Sequence, residues 1–244
     1  IDLSVNLYRE ELQSLNVAGY IDNGSATTVV IGGHFDHLGF GGRGSRTPGE
    51  QRIHPGADDN ASGVAGVLEA ARYIKDSDLK NHNYLFIAFG AEEKGLLGSR
   101  YFTTSGDYEM ARINYMFNLD MIGRLEQNRL SLIGTGSSPS WDGLIERLAP
   151  SHLDIRKSPG GLGGSDHASF YMQNIPVLFF FTGTHHDYHM PGDTPDKINF
   201  DGLYDVYSLM MSMVRELDKA PRLVYSMAPV AETRRRSDAP SLGL

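Results

Sequence analysis

Five short clusters of acid and imidazole side chains punctuate this chain of 244 residues. They are His34-Phe35-Asp36, Asp58-Asp59-Asn60, Glu92-Glu93, Asp120, and the run His185-His186-Asp187-Tyr188-His189. Carboxylates gathered into one cleft repel one another and need cations. A set of carboxylate oxygens and imidazole nitrogens is what a zinc-like ion accepts. The chain has no cysteine, which rules out a thiolate zinc site, an iron–sulfur cluster, a disulfide framework and a thiol nucleophile. Taken singly, each cluster has a plainer reading. Asp58-Asp59-Asn60 can cap a helix, Glu92-Glu93 can form a charged turn, Asp120 can cap another, and the histidines can be loop residues with ordinary partners. The last cluster has histidines at i, i+4 but no HExxH glutamate, and Pro191 stops a helix there, so it is not a zincin motif.

The clusters gain weight from where they fall. Thr27 to Ile31 is a short β-branched strand that runs through Gly32-Gly33 into His34. Asn83 to Phe89 is a second apolar strand, and Glu92-Glu93 follow it. Asn114 to Leu119 is a third and ends at Asp120. Pro176 to Phe181 is fully apolar, as a central strand should be, and precedes the histidine run. Arg129 to Ile133 is a further strand. Helices are predicted over Ser62 to Asp76 (capped by Asn60 or Ser62), Gly95 to Thr103, Ser140 to Leu148 and Asp166 to Met172. The clearest helix carries Leu203, Val206, Tyr207, Met210, Met213, Val214 and Leu217 on one face. Strands alternating with helices predict an α/β fold, a three-layer α/β/α sandwich with a mixed, largely parallel sheet. Ligands in such sheets collect beyond the carboxyl ends of the strands, where the clusters stand.

Composition narrows the remaining classes. There are 22 basic and 30 acidic side chains, a formal charge of −8, which argues against a broad nucleic-acid-binding face. No apolar run approaches the length of a membrane span. The 28 glycines exceed the usual share of roughly 7%, so many tight loops are expected. One loop, Gly39 to Gly44, is a literal GxGxxG. His34 and Asp36 intervene after the strand and no helix follows, so it reads as a flexible loop at the mouth of a site. There is no GxSxG and no phosphate-binding GxxxxGK[ST]. The first sixteen residues begin abruptly, with the strand-like IDLSVNLY, as if continuing something longer. Residues 1–219 read as one catalytic domain. Residues 220–244, with three prolines and Arg234-Arg235-Arg236, read as a linker or C-terminal arm.

The motifs GGHFDHLG, GADDNASG, AFGAEEKGLLGS, NLDMIG, GGSDHASF and DYHMPGDTPDKI occur in order and span most of the chain. With them the sequence resembles the M28 family of co-catalytic zinc aminopeptidases. The resemblance implies two Zn²⁺ per chain, with His34 and Asp120 on one ion, Glu93 and His189 on the other, and Asp59 bridging both. It implies that Asp36 fixes the orientation of His34, that Glu92 is the general base, and that Tyr188 stabilises the oxyanion. Asp58 and Asn60 match positions that shape the loop, and Ser165-Asp166-His167 match a motif that shapes the pocket wall. The implied activity is hydrolysis of N-terminal residues from peptides with a free α-amine, through a hydroxide shared by the two metals. Chemistry agrees: two ions roughly 3.5–4 Å apart acidify a shared water, and an unligated carboxylate moves its proton. The resemblance further implies an extracytoplasmic protein, secreted or periplasmic, with possible flanking domains in the full-length chain. Alternatives are a glutaminyl-cyclase-like acyl transferase or M20-like amide hydrolase on the same fold, or a non-catalytic binding domain. The full ligand set favours the peptidase.

Overall fold

The computed structural model describes residues 13–49 and 51–227. The strand-like start at residues 1–8 and the triple arginine lie outside them. The strands β1 (Val17–Ile21), β2 (Thr28–His34), β3 (Asn83–Phe89), β4 (Ile113–Leu119), β5 (Arg129–Ile133), β6 (Asp154–Ser158) and β7 (Val177–Phe181) form one sheet in the order β1-β3-β2-β4-β7-β5-β6. The inner four, β3-β2-β4-β7, are mutually parallel. Their carboxyl ends therefore share one edge, and the chain leaves that edge four times. β1 pairs antiparallel with β3, and β5 pairs antiparallel with β7, while β6 runs parallel to β5. The sheet is mixed but largely parallel, as the alternation of elements predicts.

Two of these strands were not expected from the sequence. β1 is almost wholly exposed, and β6 (DIRKS) carries charge at three of five positions. Both are edge strands. An edge strand needs hydrogen-bond partners but not an apolar face, so hydropathy patterning carries no sign of it.

The helices α1 (Gly63–Lys75), α2 (Leu97–Thr104), α3 (Ser140–Leu148), α4 (His167–Tyr171) and α5 (Phe200–Asp218) cover both faces. One core joins α1, α3 and α5 to alternate strand residues such as Val29, Ile31, Tyr84, Phe86, Tyr115 and Phe117. The other joins Phe170 and Tyr171 of α4, with Phe102 of α2, to the opposite parity, Val30, Leu85, Ile87 and Phe89. Period-two alternation sorts the strands between the two layers. The long α5 buries Val206, Met210, Met213 and Val214 completely, each contributing about 1.5–3 kcal/mol. Asn199 caps it, its side chain accepting from the Gly202 amide at 3.0 Å.

Residues beyond 219 still hold the body as far as they are described. Leu223 is buried, and its amide donates to Asn114 Oδ1 at 2.8 Å. Ser226 Oγ donates to the Gly136 carbonyl. Among the described residues no helix is long and apolar enough to cross a membrane.

Candidate metal centre and active site

His34 is the last residue of β2, and its side chain is 1% exposed. Its Nε2 lies 3.3 Å from both Asp59 Oδ1 and Asp120 Oδ1. Asp59 sits in the turn Ala57–Ser62 that leads into α1, and a cis peptide joins it to Asn60. Its second oxygen, Oδ2, is 3.2 Å from His189 Nε2, which is also 3.2 Å from Glu93 Oε2. One carboxylate thus stands between two imidazoles, each with a further carboxylate. Donors 2.0–2.1 Å from a tetrahedral ion stand about 3.3 Å apart, so these separations are the spacings that the ligands of such an ion take. The ligand atoms of His34, Asp59 and Asp120 all lie within 4.8 Å of one another, as do those of His37, Asp59 and Glu93. The residues present, carboxylates and imidazoles without thiols, fit zinc.

The electrostatics point the same way. Burial pushes the Asp59 carboxyl up, but hydrogen bonds from His189 and His34 outweigh it and hold the group well below the usual range. Burial likewise opposes Glu93, which His189 and His37 bring down to about 2. His189 is lowered by burial and raised more by Asp59 and Glu93, to about 10. His34 is raised in the same way, chiefly by Asp120. Protons on imidazoles here do the neutralising that cations would do. Glu92 behaves oppositely. Burial, with Asp120, Asp166 and Glu93 nearby, pushes it up to about 8 against the pull of His34. Its Oε2 is 4.0 Å from His34 Nε2, beyond the 3.2–3.3 Å shell.

Backbone contacts hold these side chains in place. Asn60 ties three elements together. Its Nδ2 donates to the carbonyls of His34 and Leu119, and its Oδ1 accepts from the amides of Gly63 and Met121. It is the helix cap that the sequence suggests, and also the link between the ends of β2 and β4. Gly63 makes this approach possible, since a Cβ there would lie 2.3 Å from both Leu119 O and Asn60 Oδ1. Ser62 Oγ donates to Asp58, and Asp58 Oδ1 accepts from the Gly123 amide at 2.6 Å. Three non-glycine residues at the site, Ala91, Met121 and His189, have positive φ, the kind of local strain that collects at functional sites.

The structure assigns Asp36 a divided task. Its carbonyl, not its carboxylate, is the 3.0 Å partner of His34 Nδ1. The carboxylate stands 3.9 Å from that nitrogen and instead accepts from the amides of Glu92 and Glu93, at 2.9 and 3.3 Å. Tyr188 stacks on the His189 ring at 3.8 Å and lines the cleft. Burial and the surrounding carboxylates, Asp59 first, keep its hydroxyl protonated. Asp166 stands at the N-cap of α4 and His167 opens it; both are completely buried, and Asp166 stands close enough to Glu92 to help raise it.

Three supports have no counterpart in the sequence reading. Asp193, completely buried, accepts through Oδ2 from the amides of Asp58 and Asp59 at 2.9 and 3.0 Å. His37 Nδ1 lies 2.9 Å from Glu93 Oε1. His185 Nε2 faces Asp58 Oδ2 at 3.2 Å. The positions of His37 and Asp193 inside GGHFDHLG and DYHMPGDTPDKI were the only available signal. The glycine-rich loop is also more than a flexible margin. The Gly44 carbonyl accepts from His189 Nδ1 at 2.9 Å, and the Arg46 amide donates to the His189 carbonyl. Along with the ligands, Met121, Ile133, Phe179 and Phe181 line a cleft of about 260 Å³.

The family model of peptidase family M28 matches residues 16–214. The chain belongs to peptidase family M28. A probable leucine aminopeptidase of Arthroderma otae is 26% identical over 233 residues, covering 90% of this chain and 61% of that protein. The solved aminopeptidase from Aneurinibacillus sp. strain AM-1 is 30% identical with a TM-score of 0.65, over 87% of this chain and 49% of its own. A zinc aminopeptidase from Bacillus subtilis is 27% identical with a TM-score of 0.67, over 86% of this chain and 52% of its own. This M28 chain therefore spans about half to three-fifths of the length of such relatives.

Proposed function

We propose that the chain is the catalytic core of a zinc aminopeptidase that removes N-terminal residues from peptides. The observation that carries this reading is Asp59, held between two imidazoles at 3.2–3.3 Å with a free glutamate, Glu92, beside them. His34, Asp59 and Asp120 would hold one ion, and Asp59, Glu93 and His189 the other. Zinc bound there supplies Lewis acidity and acidifies water.

The chain's own groups do the rest. Glu92 accepts the proton of the attacking water on a carboxylate oxygen and returns it to the departing amine. Asp36, through the amides of Glu92 and Glu93, keeps that carboxylate aimed into the cleft. The Tyr188 hydroxyl, kept protonated, donates a hydrogen bond to the oxygen that gains charge. The acidic rim attracts a free α-amine, which makes the enzyme an exopeptidase. The apolar wall of Met121, Ile133, Phe179 and Phe181 receives the first side chain and excludes water. An extracytoplasmic location fits the same reading.

Aminoacyl-anilide hydrolysis, with and without a chelator, tests it. Chelator-sensitive release of the anilide from unblocked substrates is expected, with none from N-acetylated ones. Equal cleavage of blocked substrates would sink the aminopeptidase reading in favour of an amide hydrolase. Cyclisation of N-terminal glutamine without hydrolysis would favour acyl transfer.

A further inference from the structure

His37 stands against Glu93, beside the cleft, yet has no part in the five-ligand set. Its Nδ1 is 2.9 Å from Glu93 Oε1 and 3.9 Å from Asp59 Oδ2. A carboxylate only accepts, so Nδ1 carries the hydrogen. The other oxygen of Glu93, Oε2, is the one 3.2 Å from His189 Nε2. The two oxygens of Glu93 therefore face different imidazoles at different spacings. The pair at 3.2 Å stands at the edge length of an ion's coordination shell. The pair at 2.9 Å stands at hydrogen-bond length.

The ring of His37 is confined. A Cβ on Gly56 would lie 2.8 Å from His37 Cδ2 and Cγ, and Gly56 itself adopts φ +61. Only glycine takes that conformation cheaply and also leaves room for the ring. The His189 ring stands edge-on to it at 5.8 Å. Nε2 of His37 is buried and has no hydrogen-bond partner among the described residues, so no acceptor or donor on the far side competes for the ring. Asp36 and His37 are consecutive and grip the same turn. Asp36 takes the amides of Glu92 and Glu93, and His37 takes the side chain of Glu93.

We propose that His37 is a positioning residue whose Nδ1–H holds Glu93 Oε1, so that Glu93 offers Oε2 alone to the ion shared with His189 and Asp59. The inference rests on the two-ion reading above. Hydrogen bonds to ligating carboxylates orient them, and losing one costs metal affinity. Because His37 touches Glu93 and stays 3.9 Å from Asp59, its loss falls on one ion of the pair.

The test is zinc titration of the metal-stripped chain against a chromophoric chelator, which resolves two binding steps. His189→Ala marks the step of one ion and His34→Ala that of the other. His37→Leu is expected to weaken the His189-marked step about 10–100-fold and to leave the His34-marked step within about threefold. His37→Asn, whose amide reaches near the Nδ1 position, restores most of the loss. His37→Gln, whose amide reaches towards Nε2 instead, does not, and it serves if the leucine variant fails to fold. In the cobalt-substituted chain, His37→Leu lowers the visible absorption, because a freed Glu93 adds its second oxygen and raises the coordination number. Unchanged affinities, an unchanged cobalt spectrum, or equal weakening of both steps overturn the proposal. So do equal losses in the leucine and asparagine variants, which would make His37 a ligand itself. A wild-type chain that takes up fewer than two ions sinks the two-ion reading, and that is seen before any variant is measured.

Discussion

The two halves of the site are built differently. His34 and Asp120 stand at the ends of neighbouring parallel strands, with Asp59 beside them at the start of a helix, and all three are buried. The sheet itself sets their spacing, and Asn60 locks it with four hydrogen bonds. Glu93 and His189 stand on loops, and His189, at 15%, has the most exposed side chain of the five. Their positions depend on side-chain and carbonyl clamps: His37 on Glu93, and Gly44 on His189. Asp59 joins the halves. A strand-borne half is rigid because moving it breaks sheet pairing. A loop-borne half is adjustable and has to be held contact by contact.

The largest expected effect comes from breaking the joint. Asp59→Ala should lose both ions, and activity should fall to the chelated baseline. Metal analysis that still finds two tightly held zincs would show that the halves are independent. Glu92→Gln belongs to neither half. It should keep both ions and lower kcat about 10²–10⁴-fold, and near-wild-type turnover would remove Glu92 from the proton transfer. Tyr188→Phe, on the loop-borne half, should lower kcat about 10²-fold with little change in KM. A pure KM effect would make Tyr188 a binding residue only.

Asp193→Ala sharpens the comparison from below. It strands two buried amides and removes a partner of Arg124 at 3.6 Å. A loss of about 1–3 kcal/mol in unfolding free energy is expected, read by denaturant titration of the metal-free chain. Wild-type stability would mean that the loop is held elsewhere.

The smallest effect is on pH. His189 is raised from 6.5 to about 10, so the stability it lends the metal-free protein is complete below 6.5 and is lost as pH rises towards 10. Glu92, raised from 4.5 to about 8, adds to that decline from 4.5 upwards. Glu93, lowered from 4.5 to about 2, lends stability that is complete above 4.5 and is lost as pH falls towards 2. Thermal melts of the chelated protein should therefore peak in weakly acidic solution. Zinc bound there would take the place of the imidazole protons, so the loaded protein should lose the His189 share of the alkaline decline. Identical profiles with and without chelator would mean that the imidazoles do not exchange protons for metal.

Much of this was legible in the residues. The apolar runs of β2, β3, β4 and β7 and the periodicity of α5 follow from burial, which demands apolar side chains at fixed spacing. His34, Asp59, Glu92, Glu93, Asp120 and His189 stand out because each follows or precedes such an element. The edge strands β1 and β6 escaped because an edge requires backbone pairing and little apolar surface. The glycine-rich loop looked like a free margin because a carbonyl clamp such as Gly44 on His189 leaves no trace in residue type.

By itself the sequence determined the inventory: oxygen and imidazole donors without thiols, spaced along strands that must be buried. Only the tertiary structure decided which donors meet. Parallel pairing brings residues 34, 59, 93, 120 and 189 to one edge, and two oxygens of a single aspartate reach two histidines, one at a strand end and one on a loop. It alone separates Asp36's carbonyl from its carboxylate, and His37's 2.9 Å contact from its 3.9 Å one. Residue types are chosen by chemistry that acts locally. Distances of tenths of an ångström are set by strand order, loop closure and close packing, which involve residues more than a hundred positions apart.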